Sequence, residues 1–101
     1  MTDYHAIAAT LTFPDKVMIG GQEVAAQGGA TFDTINPATG QVLAKLPACD
    51  ARDVDAAVHA ARDAHEAGVW SDLHPSERKV ILLKLADLID ANTQELAVME
   101  S

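Results

Sequence analysis

The spacing of apolar side chains changes at Asp50, and that change constrains the fold more than any other feature of the chain. Before it, runs such as Thr31-Phe32-Asp33-Thr34-Ile35 and Gln41-Val42-Leu43-Ala44-Lys45-Leu46 follow the two-residue period of strands. After it, Val54, Ala57, Val58, Ala61 and Ala64 share one stripe, and Ile81, Leu82, Leu85, Leu88 and Ile89 share another, at the 3.6-residue period of helices. Together they predict an α/β chain in which two β-hairpins are followed by two or three α-helices. Residues 1–15 read as an N-terminal arm or short helix, 16–47 as the hairpin region and 50–101 as the helical region.

Local chemistry punctuates this plan. Gly20-Gly21, between Lys16–Ile19 and Gln22–Val24, suits a two-residue turn that needs positive φ at both positions. Gln27-Gly28-Gly29 breaks the chain. In Asn36-Pro37-Ala38-Thr39-Gly40, Pro37 presets φ, Asn36 can accept from its own turn and Gly40 can turn left-handed. Pro47 is expected to stop the return strand. Asp50 suits an N-cap, with Asp53 a short-armed partner for a capping box, and Gly68 ends that helix. Pro75 opens a second helix with Glu77 in its first turn. His74 stands at its cap position, where a shortfall of about 0.5–1 kcal/mol is expected. Asn92-Thr93-Gln94-Glu95 predicts a break and a third helix through Leu96, Ala97 and Met99. No stop signal precedes Ser101, so that helix is expected to be truncated.

A 101-residue chain is one domain at most, and at that size should bury about 60–65% of its unfolded surface. Its 49% apolar content is weaker than it looks, because nineteen residues are Ala and only four are aromatic. Small side chains bury little area at about 25 cal/mol per Å². Such a core is thin and is expected to lean on other protein. The net charge is −8, with 2 basic and 5 acidic residues in 1–50 and 5 basic and 10 acidic in 51–101. Neither half offers the clustered cations that nucleic acid or anionic membranes demand. Cys49, a lone cysteine, has no intramolecular disulfide partner and fits a reducing compartment. The first residues lack the cationic start of a secretory signal, and no apolar run is long enough to span a bilayer. The expectation is a cytoplasmic protein.

No constellation in the sequence supplies a complete reaction. Cys49 just precedes a helix start, where a dipole can help a thiolate, but Asp50 sets a negative charge beside it and no base is near. A small filler is the plainer reading. His5, His59, His65 and His74 lack metal-binding spacing, and His59 between Asp55 and Asp63 reads as part of a solvated row. Gly20-Gly21 and Gly28-Gly29 lack the spacing of phosphate-cradling loops and open no helix. Trp70 reads as a hinge aromatic rather than a ligand platform. The carboxylates Asp50, Asp53, Asp55, Asp63, Glu66 and Asp72 read as a solvated face. No catalytic and no cofactor-binding residue is assigned to this chain.

Phe32-Asp33-Thr34-Ile35-Asn36-Pro37-Ala38-Thr39-Gly40-Gln41-Val42 resembles the N-terminal signature of the aldehyde dehydrogenase superfamily. Asp53-Val54-Asp55-Ala56-Ala57-Val58-His59-Ala60-Ala61-Arg62 resembles its first long helix. Trp70, Pro75-Ser76-Glu77-Arg78 and Leu83-Lys84-Leu85-Ala86-Asp87-Leu88-Ile89 resemble its second. Glu95-Leu96-Ala97-Val98-Met99-Glu100-Ser101 is similar to the stretch before the family's Leu-Asp-x-Gly-Lys-Pro segment. The resemblance implies an enzyme that oxidises an aldehyde to a carboxylate with NAD or NADP, through a cysteine thiolate, a hydride transfer and a glutamate-activated water. It places the nucleophile, the glutamate, the oxyanion-holding asparagine and the dinucleotide site downstream of these residues, so none is carried onto a position here and Cys49 is not the nucleophile. It makes 50–101 a truncated part of the cofactor-binding domain, with no cofactor expected on this chain. It also implies that Thr34 and Ile35 present main-chain groups to a structural monovalent cation. The arm and the Trp70 linker resemble members that oxidise aminoaldehydes such as γ-glutamyl-γ-aminobutyraldehyde.

Two readings follow. In the first, the chain is the amino-terminal piece of an aldehyde dehydrogenase, inactive alone, whose partners are the remainder of that chain and further copies in a homo-oligomer. In the second, it is a stand-alone module that hides the wide Val80–Ile89 face by self-association.

Overall fold

The computed structural model describes residues 1–101. The elements are α1 (Tyr4–Thr10), β1 (Val17–Ile19), β2 (Gln22–Val24), β3 (Thr31–Ile35), β4 (Val42–Pro47), α2 (Ala51–Ala67), α3 (Pro75–Ala91) and α4 (Thr93–Glu100). Strands pair as two separate antiparallel hairpins, β1 with β2 and β3 with β4. The expected α/β order of two hairpins and then helices is therefore present, with three helices after the hairpins and one before them. The chain forms two compact units. One is Phe13–Gly68, and the other joins Met1–Thr12 to Val69–Ser101.

In Phe13–Gly68, Gly20 and Gly21 take φ of 61° and 77°, which lets β1 and β2 meet through two residues. A Cβ on Gly20 would stand 3.8 Å from the Ala60 Cβ, an approach that the alanine face of α2 permits. In the second turn the Asn36 carboxamide accepts from the Ala38 N–H at 2.9 Å, and Gly40 takes a φ of 74°. Pro47 stops β4 as expected, one residue past Leu46. It is the strand's last residue, opposite Thr31, and the Ala48 N–H continues the ladder to the Ala30 carbonyl at 2.8 Å. A proline is tolerated at the end of an edge strand because its missing N–H falls outside the ladder. Leu43 is the extra residue between Val42 and Ala44, where the register shifts between Thr34 and Ile35.

The amino-terminus of α2 is the most tightly bonded point of this unit. Asp50 accepts from the Arg52 N–H at 2.9 Å, and Asp53 Oδ2 accepts from the Asp50 N–H at 2.9 Å, completing a capping box. The aspartate is thus long enough after all. Its other oxygen, Oδ1, accepts from the Gln27 N–H at 2.9 Å and ties the loop after β2 to the helix. Asp53 is 4% exposed, and Ala26 beside that loop residue is the one buried apolar side chain of the whole protein. Gly68 then closes α2 in the left-handed region, its N–H donating to the His65 carbonyl.

In the second unit α1 packs on α4. Asp3 caps α1 by accepting from the Ala6 N–H at 3.1 Å, and Gln94 Nε2 lies 3.4 Å from Thr2 Oγ1. His74, expected to be a poor cap, caps α3 well. Its Nδ1 accepts from the Ser76 N–H at 3.2 Å, while Glu77 Oε2 accepts from the His74 N–H at 3.0 Å. An unprotonated ring nitrogen does the work of a carboxylate or hydroxyl oxygen. The break at Asn92 falls as expected, where Asn92 Nδ2 donates to the Leu88 carbonyl at 2.8 Å and Thr93 Oγ1 donates to the Asp90 carbonyl at 2.8 Å.

The chain exposes 8084 Å², where a monomer of 10.7 kDa ordinarily exposes about 5,500 Å². It therefore buries only about half of its unfolded surface, short of the fraction its length predicts. The reason is visible along the helices: Val54, Val58, Val80, Ile81, Leu82, Leu83, Leu85, Leu88 and Ile89 are all between 48% and 66% exposed. The sequence patterns these residues for a core that the chain does not supply.

Replacing Asp53 by Ala leaves the Gln27 and Asp50 N–H groups without their partner. This should cost about 1–3 kcal/mol, whereas Asp55→Ala on the exposed face of the same helix should change stability by less than about 0.5 kcal/mol. Urea titration followed by circular dichroism measures both, and equal midpoints for the two variants would contradict the role given to Asp53.

Candidate functional site

Two grooves mark the helical surface of the second unit. The first holds about 510 Å³ and is lined by Trp70, Pro75, Arg78, Lys79, Leu82 and Leu83. Trp70, just before α3, lines it together with Arg78 and Leu82, and Lys79 and Leu83, pairs that stand one turn apart on neighbouring rows of the helix. Trp70, placed by its sequence as a hinge aromatic, is 41% exposed and forms a wall of this groove. The second groove holds about 330 Å³ between the end of α3 and the start of α4, and is lined by Leu85, Leu88, Ile89, Asn92, Glu95, Leu96 and Met99. Both are open and mainly apolar. They have the character of half an interface rather than of an enclosed ligand site.

Elsewhere the groups with chemical potential are Cys49, the Asp50–Arg52 pair and the glycine turns. Cys49 is exposed at the surface beside the α2 cap. Partial desolvation, then the charges of Asp53 and Asp50, push its thiol above the ordinary range, which is opposite to what a nucleophile needs. The Arg52 guanidinium, 2.8 Å from Asp50 Oδ2, holds the Asp50 carboxyl below the usual aspartate range through its hydrogen bond and charge. No three or more His, Cys, Asp or Glu side chains converge as a metal would require. Gly20-Gly21 lies in a hairpin turn and Gly28-Gly29 in a loop; neither begins a helix. Neither glycine pair therefore stands at a helix start of the kind that cradles a phosphate.

Thr34 and Ile35 lie in β3 opposite Ala44 and Val42, at the irregularity where the ladder shifts. Hard cations take about six oxygen donors or more. Two main-chain carbonyls therefore fit at most one side of such an ion, and the remaining donors would have to come from outside these residues.

Two features escaped the reading of the sequence. Asp53 acts at two places, and its bond to Gln27 spans 26 residues, so helical spacing carries no trace of it. The cation-flanked groove had a signal in the i, i+4 spacing of Arg78–Leu82 and Lys79–Leu83, but the placement of Trp70 against them is tertiary.

Hairpins and helices that leave their apolar faces half exposed define a segment of an α/β protein. Residues 24–101 match the aldehyde dehydrogenase family. The chain is 52% identical over 99 residues to aminoacetaldehyde dehydrogenase of Pseudomonas aeruginosa, covering 98% of this chain and 20% of that protein. Among solved structures, γ-glutamyl-γ-aminobutyraldehyde dehydrogenase of Burkholderia cenocepacia superposes with a TM-score of 0.91 at 43% identity, over 96% of this chain and 20% of the other. The indole-3-acetaldehyde dehydrogenase of P. syringae, in complex with NAD+, superposes with a TM-score of 0.90 at 41% identity, over 97% and 20%. The chain belongs to the aldehyde dehydrogenase family and resembles its amino-terminal segment. It spans about a fifth of the length of these relatives.

Two measurements probe the α2 cap. The depressed Asp50 carboxyl supports the cap fully above the ordinary aspartate value of about 3.9, and that support is lost as pH falls through its lower folded value. Helix content followed by circular dichroism should therefore hold down to about pH 4 and fall below it, with Arg52→Ala moving the loss to higher pH. Alkylation of Cys49 by iodoacetamide should show a pH midpoint above that of a free thiol, lowered by Asp50→Asn; a midpoint at or below the free-thiol value would refute the described surroundings.

Proposed function

We propose that this chain is the amino-terminal part of an NAD(P)-dependent aldehyde dehydrogenase and is inactive alone. The observation that carries this reading is similarity along nearly the whole chain to enzymes about five times as long, joined to helical faces that the chain leaves uncovered. In the complete enzyme the helical region 50–101 would be part of the cofactor-binding domain, and the exposed α3 face would be covered by the remainder of the chain. NAD or NADP, the nucleophilic thiolate and the activating glutamate would be held there. Thr34 and Ile35 would contribute main-chain oxygens to one side of a monovalent cation. The complete protein would be a cytoplasmic homo-oligomer; no helix here is long and apolar enough to cross a membrane.

Aminoaldehydes are the proposed substrate class. The support is the 52% identity to an aminoacetaldehyde dehydrogenase and the 43% identity to a γ-glutamyl-γ-aminobutyraldehyde dehydrogenase.

A second reading, self-association of the isolated chain through α3, is favoured by the exposure of that same face. Light scattering separates it: a strict monomer that unfolds cooperatively would rule it out.

The main reading is tested by exchanging this chain for the corresponding fifth of the P. aeruginosa aminoacetaldehyde dehydrogenase. The chimera should reduce NAD with aminoacetaldehyde, and the 101-residue chain alone should not. A folded but inert chimera, or robust turnover by the isolated chain, would overturn the proposal.

A further inference from the structure

We propose that the groove between Trp70 and the first turns of α3 receives an acidic protein segment bearing an apolar anchor, supplied by the remaining chain of the enzyme. This rests on the amino-terminal reading above and names the chemistry of what meets this part of the surface.

The groove has two kinds of lining. Trp70, Pro75, Leu82 and Leu83 give it an apolar floor and wall, with Leu82 and Leu83 54% and 55% exposed. Arg78 and Lys79 line it as well. The protein carries only seven Lys and Arg residues against fifteen acidic ones, yet two of the seven line this one groove.

Neither cation has a partner within the chain. The two ion pairs are Lys45–Asp33 and Arg52–Asp50, and both lie in the other unit. The nearest carboxylate in sequence, Glu77, is turned back to accept from the His74 N–H at the helix start. An occupant that covered the apolar floor without carboxylates would strip water from two positive charges and leave them unpaired, which is unfavourable. An occupant with carboxylates flanking an apolar anchor satisfies both linings. Arg78 supplies the planar fork suited to a carboxylate, and Lys79 a second charge one position on. The strongly acidic remainder of this chain shows that its groove is not part of a general basic surface.

Trp70 is the only tryptophan, so its fluorescence reports on this groove alone. The test titrates the 101-residue chain with a peptide of alternating leucine and glutamate, and with its leucine–lysine counterpart, following Trp70 emission. The glutamate peptide should bind about fivefold tighter, and the preference should fade as salt is raised. Arg78→Glu together with Lys79→Glu should reverse the order, and Leu83→Ser should weaken both peptides; helix content by circular dichroism confirms that each variant is folded. Equal binding of the two peptides, binding that shifts no Trp70 emission, or a preference that survives the double charge reversal would each overturn the proposal. Those results would leave the chimera's activity untouched, whereas an inert chimera with an intact glutamate preference would remove the enzyme reading and keep the groove.

Discussion

One carboxylate holds the buried part of this protein together. Asp53 accepts the Asp50 N–H with one oxygen and the Gln27 N–H with the other, so the helix start and the loop after the first hairpin share a single anchor. Two hairpins of three to six residues per strand are marginal without a covering helix. The anchor sets α2 against that loop, and the approach of the first hairpin to the helix at Gly20 and Ala60 uses small residues on both sides. A buried charge is tolerable here because each of its oxygens meets a backbone donor at 2.9 Å.

What the anchor organises is a surface more than a core. Leucine, isoleucine and valine along α3 remain about half exposed, and Ala26, still 9% exposed, is the one buried apolar side chain. A stable monomer seldom leaves so much apolar area open. The chain belongs to the aldehyde dehydrogenase family and spans about a fifth of its relatives' length, and on the proposed reading the rest of such an enzyme would cover that surface.

Much of this was legible in the residues because local rules decided it. Gly20-Gly21, Asn36 through Gly40, Asp50, Gly68 and Pro75 each fix a turn or a helix end by chemistry confined to a few neighbours, and each element begins or ends there. Two details depend on context that a local rule does not carry. Pro47 ends β4 from within the strand, because at the last position its missing N–H is not needed. His74 was expected to cap poorly, but its ring nitrogen reaches the Ser76 N–H. The packing of α1 on α4, the reach of Asp53 to Gln27 and the place of Trp70 in the groove were not legible, because they join residues whose spacing carries no period. For the candidate site, local patterning showed an uncovered face and not what covers it; the family came from the order of several short matches.

The central claim is that the apolar side of α3 is an internal surface of a larger enzyme. Amide hydrogen exchange across Val80–Ile89 tests it most directly, measured in the 101-residue chain and in a complete aldehyde dehydrogenase that carries this sequence at its amino terminus. The account predicts fast exchange in the first and protection at least about a hundredfold greater in the second, as a helix passes from half-exposed to packed. Equal protection in both would mean that α3 gains nothing from the rest of the enzyme, and the claim would fail.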